Sequence, residues 1–439
     1  MRPNYPSVLL ELLSHQNFLD MQFVLDPKFK FQVARSIYKG MLKFLSSEYN
    51  FDYVVQPLPV SHFSAQLENE KTYLTWQPEI DPLETTAAPD YYIVYTRIGN
   101  GGFDNGVAAD IPELKLDIEK GEIYSYKVTA VNKGGESFPS EILSVYNSGN
   151  NDKPVLIING FDRVAQPAIV ETEKFSGFVN TLDAGVPDGY DIGFTGIQND
   201  FNPSSLYVSN DAPGHGASNA NYETQIIAGN THDFVYVHGK SMKANGSSFV
   251  SSSNEAVWDD MLNLNNYKLV DLILGEQKKT HRQKKSFELI KGPEFEAFPG
   301  KFKSAIKNYL NNGGNIFVSG AYVGTDLFND PMDSLSKGFA KDVLKFILAA
   351  DHAAISGNVF STSPDFSSVY NLRYNTEFND SIYAVEAPDA INPVKGAKTI
   401  LRYTENSFSA GTAYKKNYGV VVLGFPFETI LIVKQRDEL

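Results

Sequence analysis

The 439-residue chain contains no cysteine. Disulfides, thiolate metal ligands and cysteine nucleophiles are therefore excluded, although the compartment stays open, since many envelope proteins also lack the residue. No apolar run approaches the ~18 residues of a membrane-spanning helix. The first residues lack the basic region and long apolar stretch of a signal peptide. Positive charge is scarce: 38 Lys and Arg stand against 52 Asp and Glu, a net charge of −14. That balance argues against a nucleic-acid partner. Phosphate-binding glycine loops after a strand are missing, so nucleotide binding has no support. Aromatic residues, in contrast, are plentiful, with 24 Tyr and 30 Phe, which disfavours disorder. A chain of this length is expected to fold as about two to four domains.

Three segments follow from the patterning. Residues 1–50 begin with Ser7-Val-Leu-Leu-Glu11-Leu-Leu13, which reads as a core strand carrying one carboxylate. Asp26-Pro27 then opens a helix, with a capping residue followed by proline at the first helical position. Phe29, Val33, Ile37, Met41 and Phe44 fall on one side of it. One strand and one helix cannot bury enough surface alone, so this segment must dock on something. Residues 53–147 read as short alternating strands between turn clusters, among them 71–76, 91–97 and 123–131, the pattern of a two-sheet sandwich. Residues 153–439 carry continuous apolar runs at 155–158, 234–237, 269–274, 316–318 and 420–423. Helical stretches at 255–264, 302–310 and 339–350 lie between them. Buried parallel strands alternating with helices give a three-layer α/β domain, with 356–417 as an insertion or antiparallel extension. The tail Gln435–Leu439 reads as a helix just begun, which suggests truncation. Its last four residues match an ER-retention signal in pattern, but no entry signal accompanies them.

Each segment also carries a resemblance. Trp76, Tyr124 as a tyrosine corner, and Tyr126-x-Val-x-Ala-Val-Asn132 running on to Pro139-Ser140 make residues 53–147 similar to a fibronectin type III domain, which implies a spacer or binding module. Val8–Glu11, Gln16-Asn17 and Leu25–Gly40 resemble the end of zinc-dependent N-acetylmuramoyl-L-alanine amidases. The resemblance makes Glu11 the catalytic acid/base beside a zinc-bound water, and peptidoglycan the partner. The zinc ligands of that family lie upstream of this strand and are absent from this chain. Residues 155–163, 211–218 and 313–326 look like a domain found in Bacteroidetes envelope proteins, often labelled xanthan lyase-like. Its order of elements is similar to the glutamine amidotransferase-like fold. There, Gly320-Ala-Tyr322-Val-Gly324 stands where that fold holds its cysteine, so amidotransferase chemistry is excluded. A periplasmic or extracellular location follows from these resemblances.

In open α/β sheets ligands bind beyond the carboxyl ends of the strands. Read this way, the candidate binding residues are Asp162, His238, Glu276, Ser319 and Glu428, with His215 added from the glycine-flanked loop 211–218. They fit a sugar or metal site, or simply polar loop ends. His62, His232, His281 and His352 have no partners at metal-ligand spacing, and His15 lies near the amidase-like loop. The basic run 277–285 suits an anionic glycan or plain solvation. Three functions remain open at this point. The first is an amidase-related cell-wall protein acting in glycan binding or positioning. The second is a polysaccharide lyase or esterase using His238 with Glu276 or Asp162. The third is an adhesion module without catalysis.

Overall fold

The computed structural model describes residues 6–14, 17–68, 70–173, 176–192, 201, 204–209, 215, 225–280, 294–364, 366 and 370–439. The protein is multidomain and rich in β-structure, dominated by one mixed sheet of 17 strands.

The sheet's heart is a parallel block in the spatial order Phe249–Ser253, Val155–Asn159, Leu269–Gly275, Asn315–Gly320 and Gly419–Leu423. Every residue of Val155–Asn159 is buried. A strand covered on both faces needs no alternation, and this explains the continuous apolar runs. Antiparallel strands Ser409–Lys415, Lys398–Tyr403, Asn358–Ser361 and Asn371–Arg373 extend the sheet beyond Gly419–Leu423. They fall within the stretch expected to be an antiparallel extension.

Residues 53–147 form the expected sandwich. Lys71–Gln77 pairs with Ser61–Glu68 and Glu113–Asp117, while Ile123–Asn132 pairs with Tyr91–Ile98 and Leu143–Tyr146. Trp76 is buried edge-on to Tyr92, with ring centroids 5.3 Å apart. The Tyr124 hydroxyl accepts the Glu119 amide at 3.1 Å, closing a corner five residues upstream.

The sandwich is no detached spacer. Ser61–Glu68 pairs antiparallel with Phe249–Ser253 (Ser64 opposite Ser252), and Leu143–Tyr146 meets the same strand at Phe249. Two sandwich strands thus seal the outer edge of the parallel block, an edge that would otherwise invite pairing with other chains. Ser251 Oγ donates to the Ser144 carbonyl at 2.7 Å and accepts the Ser144 amide at 2.9 Å. Arg97 grips Asp233 through two bonds of 2.7 Å. Since each unit holds one of the two tryptophans, Trp76 and Trp258, single-tryptophan variants report the units separately. Within each of Trp76→Phe and Trp258→Phe, the fluorescence and far-UV circular dichroism transitions in denaturant are expected to coincide, and separated transitions in either variant would refute the shared sheet.

Several sequence readings need correction. Residues 8–13 form no strand. Val8 and Leu9 are each 84% exposed, and no described strand offers them a ladder. The helix Pro27–Tyr49 begins where expected, with the Asp26 side chain accepting the Lys28 amide. Its docking face is different from the predicted one: Arg35 bonds Asp81 at 2.9 Å and Lys39 pairs with Glu84 at 3.4 Å, whereas Ile37, Met41 and Phe44 are exposed. The described residues 17–50 therefore dock on this chain through these polar contacts together with aromatic ones, Phe18 lying 5.5 Å from Phe178 and Phe31 6.0 Å from Phe138 between ring centroids. Phe234–Val237 starts a helix, Phe234–Ala244, instead of a strand. Phe234, Val235, His238, Gly239 and Ser241 are its buried residues, and this helical spacing becomes visible only beyond the four-residue run. The stretch 255–264 is helical only at its start, in Asn254–Trp258. Residues 339–350 hold a helix end, one π-turn and the strand Phe346–Ala350.

Candidate functional site

The carboxyl ends of Val155–Asn159, Leu269–Gly275 and Asn315–Gly320 deliver Arg163, Glu276 with Lys278, and Tyr322 to one place. Asp183 and Glu386 reach it from distant loops. Arg163 is 1% exposed, and its Nη2 lies 2.5 Å from Asp183 Oδ2. The remaining guanidinium donors reach the Glu276 carbonyl at 3.2 Å and Thr280 Oγ1 at 3.1 Å. Lys278 Nζ shares the same Asp183 oxygen at 2.7 Å and stands 4.2 Å from the centroid of the Tyr322 ring. Tyr322 donates to Glu386 Oε1 at 3.2 Å, and the Ala184 amide donates to the same oxygen at 2.8 Å. Glu276 Oε1 and Glu386 Oε2 are buried with no hydrogen-bond partner among the described residues.

Charge is divided unevenly here. Burial works against ionisation of Asp183, but the cations of Arg163 and Lys278 outweigh it and hold this carboxyl well below the usual range. Burial pushes Glu276 well up, and the neighbouring Glu386 and Asp183 push it further. Glu386 is raised by burial and then by Asp183. The cluster therefore sets a carboxyl that ionises readily beside two that resist ionisation, and separation of this kind creates acid and base roles.

Beside it, the amides of Gly324 and Thr325 at the start of the helix Val323–Phe328 donate to Asp389 Oδ2 at 2.6 and 2.7 Å. The strand–turn–helix elbow that carries Tyr322 thus has its free amides filled by the chain's own carboxylate.

The predicted residues divide between sites. Glu276 belongs to the edge cluster. Asp162 is tied to it through Gln277, whose Oε1 accepts the Asp162 and Arg163 amides at 3.1 and 2.9 Å and whose Nε2 donates to Asp162 Oδ1. Burial and then Glu255 push Asp162 up to about 7, and the same two causes push Glu141 up to about 8. His238 and Glu428 come together elsewhere, in a closed buried chain. His238 Nδ1 lies 2.8 Å from Asp271 Oδ2 and Nε2 lies 3.3 Å from Glu428 Oε2, while Tyr383 donates to Glu428 Oε1 at 2.7 Å. His238 is 0% exposed against Phe427. It sits in a helix instead of at a strand end, and substrate cannot reach it as placed. Ser319 is buried within its strand, Oγ unpartnered, apart from both groups. His215 is half-buried in a turn, and the rest of loop 211–218 lies outside the described residues, as do His15, His281 and 281–285 of the basic run. Glu11 is exposed on the irregular segment 6–14, and no metal-binding group of His, Cys, Asp or Glu occurs among the described residues.

Sequence reading missed Arg163, Asp183, Glu386, Asp271 and Tyr383, and named Lys278 only within the basic run 277–285. Arg163 and Lys278 stand beside predicted residues in Asp162-Arg163 and Glu276-Gln-Lys278. Nothing local marks Asp183 or Glu386.

No protein-family profile and no curated protein matches the chain. Some solved structures share limited likeness. The twitchin kinase region of C. elegans matches over 22% of this chain and 18% of its own length, at 21% identity and a TM-score of 0.20. A human fourth fibronectin type III domain matches over 21% of this chain and 79% of its own length, at 24% identity and a TM-score of 0.19. A myokine structure matches over 21% of this chain and 97% of its own length, at 15% identity and a TM-score of 0.18.

Proposed function

We propose that the chain is a glycan-directed protein of the cell envelope whose ligand site is the edge cluster around Glu276, Glu386 and Tyr322. The observation that carries this reading is the pair of buried carboxyl oxygens, Glu276 Oε1 and Glu386 Oε2, left without donors at the carboxyl edge of a parallel sheet. A polyhydroxylated ligand supplies such donors. Half-buried Lys278 and Glu386 give the cluster its access to solvent. Peptidoglycan is the first ligand to test, because residues 8–40 resemble a peptidoglycan amidase. No zinc-dependent step is assigned to this chain, and Glu11 has no part in the proposed site. Purified protein is expected to co-sediment with peptidoglycan sacculi, and Glu386→Gln is expected to weaken the binding by about tenfold, the loss of one buried charge-assisted contact. Absence of sedimentation with sacculi and with other polysaccharides would refute the glycan reading.

A second reading, a polysaccharide-cleaving enzyme, is favoured by one feature. Glu276 is held as an acid next to Glu386, whose Oε1 takes the Tyr322 hydroxyl. Release of reducing ends or unsaturated sugars, lost in Tyr322→Phe while binding persists, supports cleavage. Binding without turnover leaves adhesion.

A further inference from the structure

Five titratable groups make up the edge cluster, and their hydrogen bonds do not balance. Arg163 and Lys278 are both spent on a single acceptor, Asp183 Oδ2, at 2.5 and 2.7 Å. Glu276, 2% exposed, keeps Oε1 without a donor. Glu386 satisfies Oε1 with the Ala184 amide and the Tyr322 hydroxyl but leaves Oε2 bare. Tyr383, the other hydroxyl near these carboxyls, donates its hydrogen bond to Glu428. Three carboxyls therefore face two cations, with two acceptor oxygens open. A ligand hydroxyl supplies a single donor and no charge. An ammonium brings three donors and a positive charge that favours the ionised form of Glu276.

We propose that the site takes a ligand bearing a primary ammonium group, seated between Glu276 and Glu386, as on a de-N-acetylated amino sugar. The inference deepens the glycan-directed reading and rests on it only for the choice of sugar. Without such a cation, burial and the neighbouring Glu386 and Asp183 oppose ionisation of Glu276. The arriving ammonium stabilises the carboxylate, so Glu276 gives its proton to the buffer while the ligand stays protonated. Ligand binding is thus expected to release a proton.

Calorimetry of the full chain, in two buffers of different ionisation enthalpy at a pH below that of amine deprotonation, tests this. The probes are glucosamine oligomers, their N-acetylated counterparts and the plain diamine cadaverine. Glucosamine oligomers are expected to bind with buffer-dependent heat. Acetylation and Glu276→Gln are each expected to weaken binding by about tenfold or more. Glu386→Gln serves as the second variant should Glu276→Gln not fold. Equal affinity for acetylated oligomers, buffer-independent heat, or no binding of any amine overturns the ammonium proposal. Acetylated oligomers that bind equally through Glu386 would leave the glycan reading standing. Cadaverine binding alone would do the reverse, keeping the ammonium and removing the glycan.

Discussion

Arg163→Met is expected to destabilise the protein by about 3–5 kcal/mol, the cost of breaking a buried ion pair from one side. The guanidinium is buried and makes contacts with Asp183, the Glu276 carbonyl and Thr280. Methionine fills similar volume but leaves all three without that donor. Lys278 still reaches Asp183, so the carboxylate is not wholly abandoned and the fold survives at low temperature. Chemical denaturation gives the number. The double variant Arg163→Met/Asp183→Leu is expected to recover part of the loss, because it removes the stranded charge as well. A single-variant loss below about 1 kcal/mol would mean that the pair is hydrated and worth no more than a surface bridge.

Stability is also expected to fall as pH rises from about 6 to 9. Burial alone would lower the basicity of His238, but Asp271 and then Glu428 outweigh it and raise the imidazole to about 9. Its folded value thus lies above the ordinary His value near 6.5. The resulting stabilisation is complete below the unfolded value and is lost as pH climbs through the folded one, a loss of the order of 3 kcal/mol. Asp162 acts in the same direction. With its carboxyl pushed up to about 7, the folded state holds a proton that the unfolded chain has already released, so stability declines as pH rises from about 4 to 7. Denaturation at several pH values, with the His238 imidazole followed by NMR, reads both effects. Flat or rising stability between pH 6.5 and 9 would show that the imidazolium is not held between the two carboxylates.

How far the sequence carried the fold depended on the range of the signal. Asp26-Pro27 marked its helix because capping and the fixed proline torsion act within three residues. The runs at 155, 269, 316 and 420 stood out because both faces of each strand are covered. Phe234–Val237 looked identical in a four-residue window, and only the burial of His238 and Gly239 beyond it reveals a helix. Residues 8–13 had the composition of a strand, but a strand also needs a neighbour, which composition cannot supply. The edge cluster was legible in the same partial way. Glu276 follows its strand directly. Asp183, 20 residues from Arg163, and Glu386, 64 residues from Tyr322, arrive through tertiary contacts that leave no local trace. His238 and Glu428, read as strand-end binding residues with His238 paired to Glu276 or Asp162, instead meet each other, with Asp271 on the other imidazole nitrogen.

The strand Phe249–Ser253 has one further consequence, a mechanical one. It pairs parallel with Val155–Asn159 on one side and antiparallel with two sandwich strands on the other. A pull that separates the sandwich from the α/β unit along this strand loads the few pairs of the seam together in shear, and not one by one as in unzipping. If the two ends of the chain were anchored to a wall and a load, tension would pass through this seam as through a rivet. The edge cluster, which hangs from the next strands of the same sheet, would keep its geometry under stretch.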